Sequence, residues 1–244
     1  MNNRKANLIA PKASLGEELT IPLFPRNLVL DPCAEEYLGV YEMRYRQLLN
    51  DVGDKRSFGH IFYSQENSKL ALVGTLTKIK RIERIDDGGM YVAMMGVGTF
   101  YIKEITAEKP YLKARVQIFY DYWEDKELLD SLELKVFEEV RYSVKIMKIL
   151  YPQNNYTMNE AVLRYRPIVS LPANQAPRLV SIEDEATEKE RKSKFSFGAM
   201  GMLKVDPVTK LLLIQQPVIE KRFAILLKVL SLLSFYEAEC IYNE

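Results

Sequence analysis

The stretch Ile21-Pro22-Leu23-Phe24-Pro25-Arg26-Asn27-Leu28-Val29-Leu30-Asp31-Pro32, followed after a short spacer by Tyr41-Glu42-Met43-Arg44-Tyr45-Arg46, decides the fold. A short apolar strand is interrupted by Pro25, resumes at Leu28 and stops again at Pro32. Proline has no amide hydrogen to give to a central ladder, so these residues belong at strand edges and ends. From Tyr41 to Val52 the period changes. Met43, Leu48, Leu49 and Val52 recur on one side with charges elsewhere, which predicts an amphipathic helix. The order is therefore strand, proline corner, helix.

Outward from this corner, Thr20 to Tyr122 is dominated by period two. Met90-Tyr91-Val92-Ala93-Met94-Met95 and Leu112-Lys113-Ala114-Arg115-Val116-Gln117-Ile118 alternate inward and outward residues. Asp86-Asp87-Gly88-Gly89 supplies residues that tolerate positive φ, as a tight hairpin requires. Gly96 and Gly98 within a strand pattern predict a bulge where the sheet bends. Residues 20–122 are thus expected to form a curled, antiparallel, β-barrel-like half.

From Asp125 the period becomes helical, with Leu129, Leu132, Val136, Val140, Val144 and Met147 spaced by three or four, up to Pro152. Pro167, Pro172 and Pro177 mark an extended stretch. Residues 183–194 are almost all charged, so they are expected to be solvated, and 152–194 to be the most mobile internal segment. Asp206-Pro207 predicts a helix start. The last helix, from Pro217 to about Tyr236, is apolar nearly all round and is expected at the centre of a small helical bundle spanning 123–240. The fold class is α+β. The first nineteen residues, with Arg4, Lys5 and Lys12, are expected to be a flexible arm.

This order of elements resembles the Lon protease amino-terminal (substrate-binding) domain family. Phe58-Gly59-His60-Ile61-Phe62 is similar to its second strand, and Val73-Gly74-Thr75-Leu76 through Ile85 to its long third strand. Gly96 to Ile102, Lys109-Pro110-Tyr111-Leu112, Phe195-Ser196-Phe197 and Lys210-Leu211-Leu212 follow in the family's order, so the resemblance spans about residues 20 to 236. Asp31 departs from it, standing where the family usually has an apolar residue, and residues 152–194 are longer and richer in proline and charge. The resemblance implies a non-catalytic polypeptide-binding module, a substrate-recognition or adaptor unit standing alone, in a plastid stroma or a bacterial cytoplasm. A fixed accessory subunit of a larger assembly and a small-ligand-binding domain are the alternatives.

Composition narrows the chemistry. The 244 residues carry 34 Lys plus Arg against 33 Asp plus Glu, a formal +1, which gives no footing for nucleic acid as a partner. The most apolar run, Phe223 to Tyr236, is interrupted by Lys228 and is too short for a membrane span. Two cysteines, Cys33 and Cys240, suit reduced thiols. No Gly-Lys pair occurs, so the phosphate-cradling loop of an ATPase is missing and no nucleotide or other cofactor is expected. His60 is the only histidine, which leaves one candidate base and no multi-histidine metal site; in a strand pattern it is expected to be structural. Glu35-Glu36, Asp86-Asp87 and Glu138-Glu139 fall in a corner, a turn and a helix face, where solvation explains them. Gly198-Ala199-Met200-Gly201 is expected to mark close helix packing or a cap.

With catalytic and metal residues expected to be none, the aromatic residues carry the functional expectation. The chain has 15 Tyr and 10 Phe but one Trp. Tyr41, Arg44, Tyr45, Phe62 and Tyr63 flank the corner set by Pro25 and Pro32, where backbone groups cannot all pair within the sheet. They are the expected polypeptide-binding residues, with Arg44 alternatively fixing the helix to the sheet through a carboxylate or carbonyl.

Overall fold

The computed structural model describes residues 14–53, 57–86, 88–170, 178–179, 184–203 and 205–242. Strands β1 (Ser14–Arg26), β2 (Glu35–Val40), β3 (Ser57–Ser64), β4 (Lys69–Arg84), β5 (Met90–Ala107) and β6 (Lys113–Tyr120) form one sheet in the order β2-β5-β4-β3-β1-β6. An additional β5–β6 pairing closes a circuit of five strands and leaves β2 outside it. The sheet is curled as expected without being a strict barrel. It is also not wholly antiparallel, because β1 and β3 run parallel from Leu23↔Gly59 to Arg26↔Phe62. The connection between them holds β2 and helix α1 (Met43–Asp51), long enough for the chain to return in the same direction.

Local chemistry fixes the bends. Leu76 pairs with Gly98 and Thr77 with Gly96, so Val97 is the extra residue of a bulge, as the two glycines led one to expect. At the β4–β5 turn Gly88 has φ +79°, and its amide donates to the Ile85 carbonyl at 2.9 Å. Asp31-Pro32-Cys33-Ala34 has the form of a type II turn. Pro32 stands second, Cys33 third with φ +68°, and the Ala34 amide closes on the Asp31 carbonyl at 3.1 Å. Cys33 N–H then donates to Gly96 O at 2.9 Å and Gly96 N–H to Ala34 O at 3.0 Å. Two residues thereby face one, and the register of β2 on β5 is pinned.

Sequence and structure differ at the amino-terminal arm. β1 begins at Ser14, and Ser14↔Tyr120 through Pro22↔Lys113 pair it with β6, so residues 14–19 of the expected arm belong to the sheet. Period two was masked there by the Gly16 irregularity between Leu15 and Glu18. The rest of the expected arm lies outside the described residues.

The helical half holds α2 (Lys126–Leu150), α3 (Glu160–Tyr165), the short pair β7 (Val169–Ser170) and β8 (Arg178–Leu179), α4 (Glu185–Gly201), α5 (Pro207–Ile214) and α6 (Ile219–Tyr242). Asp125, Asn159, Asp184 and Asp206 each cap a helix with a side-chain oxygen, and Pro207 occupies the first turn of α5. The start of α6 lies beside the start of α2, where Glu220 accepts from the Glu124 and Asp125 amides at 2.7 and 3.2 Å. Phe223, Leu226 and Leu230 of α6 are buried in one core with Leu129, Val136 and Phe195. Gly198 lets α3 approach α4, since a Cβ there would stand 3.0 Å from the Ala161 Cβ and from the Val162 amide.

Residues 152–194, the segment expected to be mobile, contribute two helices that pack on the core. Val162 of α3 is fully buried, and α4 starts at Glu185 and turns Glu188 and Lys192 inward. Lys192 Nζ binds Glu133 at 2.7 Å, together with Asp130 and Glu188, while Arg191 reaches Glu133 at 2.5 Å and the Tyr165 carbonyl at 3.1 Å. Buried charge is tolerated because each group has a partner. Residues 171–177 and 180–183 of that segment lie outside the described residues.

Candidate functional site: a corner cleft between strand edges

Past Leu23, whose amide donates to the Leu112 carbonyl at 2.8 Å, β1 outruns β6, and Phe24 to Arg26 keep a strand neighbour only on the β3 side. β2 is the end strand of the sheet. An open cleft of about 1190 Å³ lies at this corner, lined among others by Phe24, Pro25, Leu38, Val40, Tyr63 and Leu70. Ile105, Glu108 and Leu112 border it as well.

Four of the five expected site residues, Tyr41, Arg44, Tyr45 and Tyr63, line this cleft. Tyr45 is mostly buried, its ring 4.3 Å from that of Phe24, which in turn lies 6.0 Å from Phe58. Burial pushes the Tyr45 hydroxyl above its ordinary pKa, so it stays neutral across the physiological range. Arg44 is exposed. Its Nε and Nη2 both stand 2.8 Å from Glu42, and its guanidinium lies 4.6 Å from the centre of the Tyr45 ring. That pairing is within the helix start, so Arg44 does not tie the helix to the sheet as the alternative held. Tyr41 is 56% exposed, packs over Gly39, and its hydroxyl is 3.3 Å from that of Tyr91.

Phe62 is the exception. It packs against the core of the helical half, away from the cleft that Tyr63 lines. Successive residues of a strand point to opposite faces, so Phe62 and Tyr63 could not both enter one cleft. The residues missed in sequence are Leu38, Leu70, Ile105 and Leu112. Leu38 was legible from the alternation of Leu38 and Val40, whereas Ile105 and Leu112 reach the cleft only through the closure of β5 and β6 onto β1.

Along β2 and the start of α1 the charges pair with one another: Arg26 on Glu36 at 3.3 Å, Lys80 on Glu35 at 3.4 Å, Arg44 on Glu42. Among the described residues nothing at this corner combines a nucleophile with a base. His60 is buried on β3, and burial with the nearby Arg26 lowers its pKa to about 3, so it is neutral and shielded. Cys33 lies elsewhere, at the junction of the two halves, with its thiol pushed up to about 11 by burial. Among the described residues no group of three His, Cys, Asp or Glu side chains is arranged to hold a metal, and no helix is long and apolar enough to cross a membrane.

The fold has solved counterparts. The crystal structure of a Lon N-terminal domain protein from Xanthomonas campestris matches with a TM-score of 0.54 at 18% identity, covering 86% of this chain and 98% of that one. The N-terminal domain of Mycobacterium avium complex Lon protease matches with a TM-score of 0.56 at 11% identity, covering 87% of this chain and 98% of that one. No curated protein matches the chain in sequence. The model of the ATP-dependent protease La (LON) substrate-binding domain matches residues 20–231. By that match, which takes in nearly all of both halves, the chain belongs to the Lon substrate-binding domain family.

Proposed function

We propose that the chain is a non-catalytic polypeptide-binding module, a substrate-recognition or adaptor unit, that holds its partner in the corner cleft. The observation that carries this reading is the meeting of exposed and half-buried aromatic side chains with two strand edges in one open space. Aromatic rings supply large contact area at low entropic cost, and strand edges supply amides and carbonyls to a passing backbone. Family membership points the same way, since the matching model is that of a substrate-binding domain. The packing of Tyr45 against Phe24 keeps the wall preformed and limits the ordering cost of binding. A reducing compartment, a bacterial cytoplasm or a plastid stroma, suits the free thiol of Cys33.

The test is fluorescence anisotropy with a permanently unfolded, reduced and carboxymethylated protein as probe, together with assays of ATP hydrolysis and casein cleavage. Tyr41→Ala and Arg44→Ala are expected to weaken capture about tenfold or more each, as interface anchors do. Both side chains are exposed, so melting temperatures are expected to stay near that of the wild type. Absence of capture by the wild type, or turnover that a point mutation in the chain abolishes, overturns the reading.

A further inference from the structure

We infer that the outer edge of β2 is the docking rail of the cleft, and that it takes a neutral, extended, proline-free polypeptide segment, apolar on both faces, as an added strand. The inference rests on the polypeptide-binding reading and adds to it where the backbone lies and which chemistry is selected.

The alternation of an antiparallel ladder gives the geometry. Gly96 N–H bonds Ala34 O, and the unshifted register from Glu35↔Met95 to Val40↔Met90 carries the phase forward. Glu36, Leu38 and Val40 therefore direct their backbone groups to β5. The amides and carbonyls of Glu35, Tyr37 and Gly39 point away from the sheet. Among the described residues no other strand or loop backbone bonds to these three. All three are exposed, Tyr37 to 75%.

Edges are usually blunted by lysine, proline or a bulge within the strand. Glu35-Glu36-Tyr37-Leu38-Gly39-Val40 has none of these; its two charges stand together at its start, both paired, and its only irregularity lies before it, at Cys33. A strand laid along this edge would span about five or six residues at ~3.4 Å each. One set of its side chains would meet the shelf formed by Tyr37, Tyr41 and Tyr91, since Gly39↔Tyr91 and Tyr37↔Ala93 share a face. The alternate set would enter the cleft beside Leu38, Phe24 and Tyr63. Charge selects further. The charged side chains along the edge are already paired, Glu35 with Lys80, Glu36 with Arg26 and Glu42 with Arg44, so a neutral segment matches the edge.

The probe is a labelled, N-acetylated and C-amidated peptide, Ser-Thr-Val-Leu-Phe-Val-Thr-Ser, and a set of derivatives N-methylated at one position each. Edge pairing uses the amide of every second residue, so N-methylation is expected to weaken binding at least tenfold at alternate positions and little between them. On the protein, Tyr37→Pro is expected to bind at least tenfold more weakly than Tyr37→Ala, because only the former removes the outward amide while sparing the ladder to β5. The peptide series uses the wild-type chain, so it decides even if Tyr37→Pro does not fold. Uniform or absent N-methyl effects, no binding of the peptide, or a β2-mediated dimer seen by light scattering and lost in Tyr37→Pro each overturn the inference. Capture of the carboxymethylated protein with no alternation leaves the wider reading standing while this one falls; absence of that capture brings down both.

Discussion

At the scale of single residues, two side chains sit where general chemistry would not place them. Cys33 occupies the left-handed region, φ +68°, at the third position of a turn that favours glycine. A Cβ there costs roughly 1–2 kcal/mol, and glycine restores roughly 0.5–1 kcal/mol of chain entropy to the unfolded state. Cys33→Gly is therefore expected to be neutral or stabilising by up to about 1 kcal/mol in urea titration, and Cys33→Val destabilising, since a β-branched residue fits this region worst. His60 is buried, its Nε2 has no partner among the described residues, and its pKa falls from 6.5 to about 3. The folded chain then refuses a proton that the unfolded chain accepts, so this group's contribution is full above 6.5 and is lost as the pH falls toward 3. Stability is expected to drop by about 1.4 kcal/mol per pH unit through that window on account of this group. Urea titrations at pH 7.5, 6.5 and 5.5 test it: His60→Met is expected to flatten the slope, and an equal slope in both proteins would show that another group titrates.

At the scale of elements, helix α4 separates what a sequence discloses from what it conceals. Residues 183–194 carry so few apolar side chains that solvent exposure is the natural expectation, yet Glu188 and Lys192, one turn apart, form the buried stripe that Phe195, Ser196 and Ala199 continue. The amphipathic signal is present but written in charges, and its meaning depends on Glu133 and Asp130 of α2, about sixty positions earlier in the chain. Local patterns did disclose α2, the Asp206-Pro207 cap and the Gly96–Gly98 bulge, because period and cap chemistry are properties of neighbours in sequence. The corner of the cleft was legible for the same reason, through Pro25 and the helix start, whereas Pro32 lies away from it, beside Cys33. The phase of β3 was not, and it put Phe62 on the wrong face. Removing Lys192 would leave Glu133 short of one of its two cationic partners, in full burial. Lys192→Ala is expected to cost about 3–5 kcal/mol. Glu190→Ala, on the exposed side of the same helix, is expected to stay within about 0.5 kcal/mol despite its pair with Lys194. Chemical denaturation of the two variants checks the contrast, and equal losses would mean that the buried cluster does not hold α4.

At the scale of the whole molecule, the two halves share a core. Val73 and Phe119 of the sheet, with Val29 of the β1–β2 connection, are buried in the same cluster as Phe195, Leu213 and Phe223 of the helices. The sheet half on its own would therefore expose apolar surface that the full chain covers, so a single cooperative unfolding transition is expected. The polar counterpart of this shared core is Asp31, a buried carboxylate. It sits at the corner of the sheet half, and its two carboxylate oxygens lie 2.9 and 2.7 Å from Lys210 of α5. Burial raises the Asp31 pKa, and Lys210 acts against that rise. Removal of the lysine leaves the opposing cause weakened, so the folded-state pKa moves further above the unfolded value of about 3.9. A group whose folded pKa is raised favours folding only while protonated, so Lys210→Met is expected to destabilise by about 3–5 kcal/mol at neutral pH and to recover as the pH falls through that raised value. Asp31→Asn combined with Lys210→Met removes the uncompensated charge and is expected to recover much of the loss at neutral pH without acid, the mark of coupling between neighbours. Calorimetry of the wild type, the two single variants and the double variant at pH 7.5 and 5.5 reads all of this at once. If the double variant is no better than the sum of the single ones, then Asp31 and Lys210 do not join the halves, and the shared apolar core does so alone.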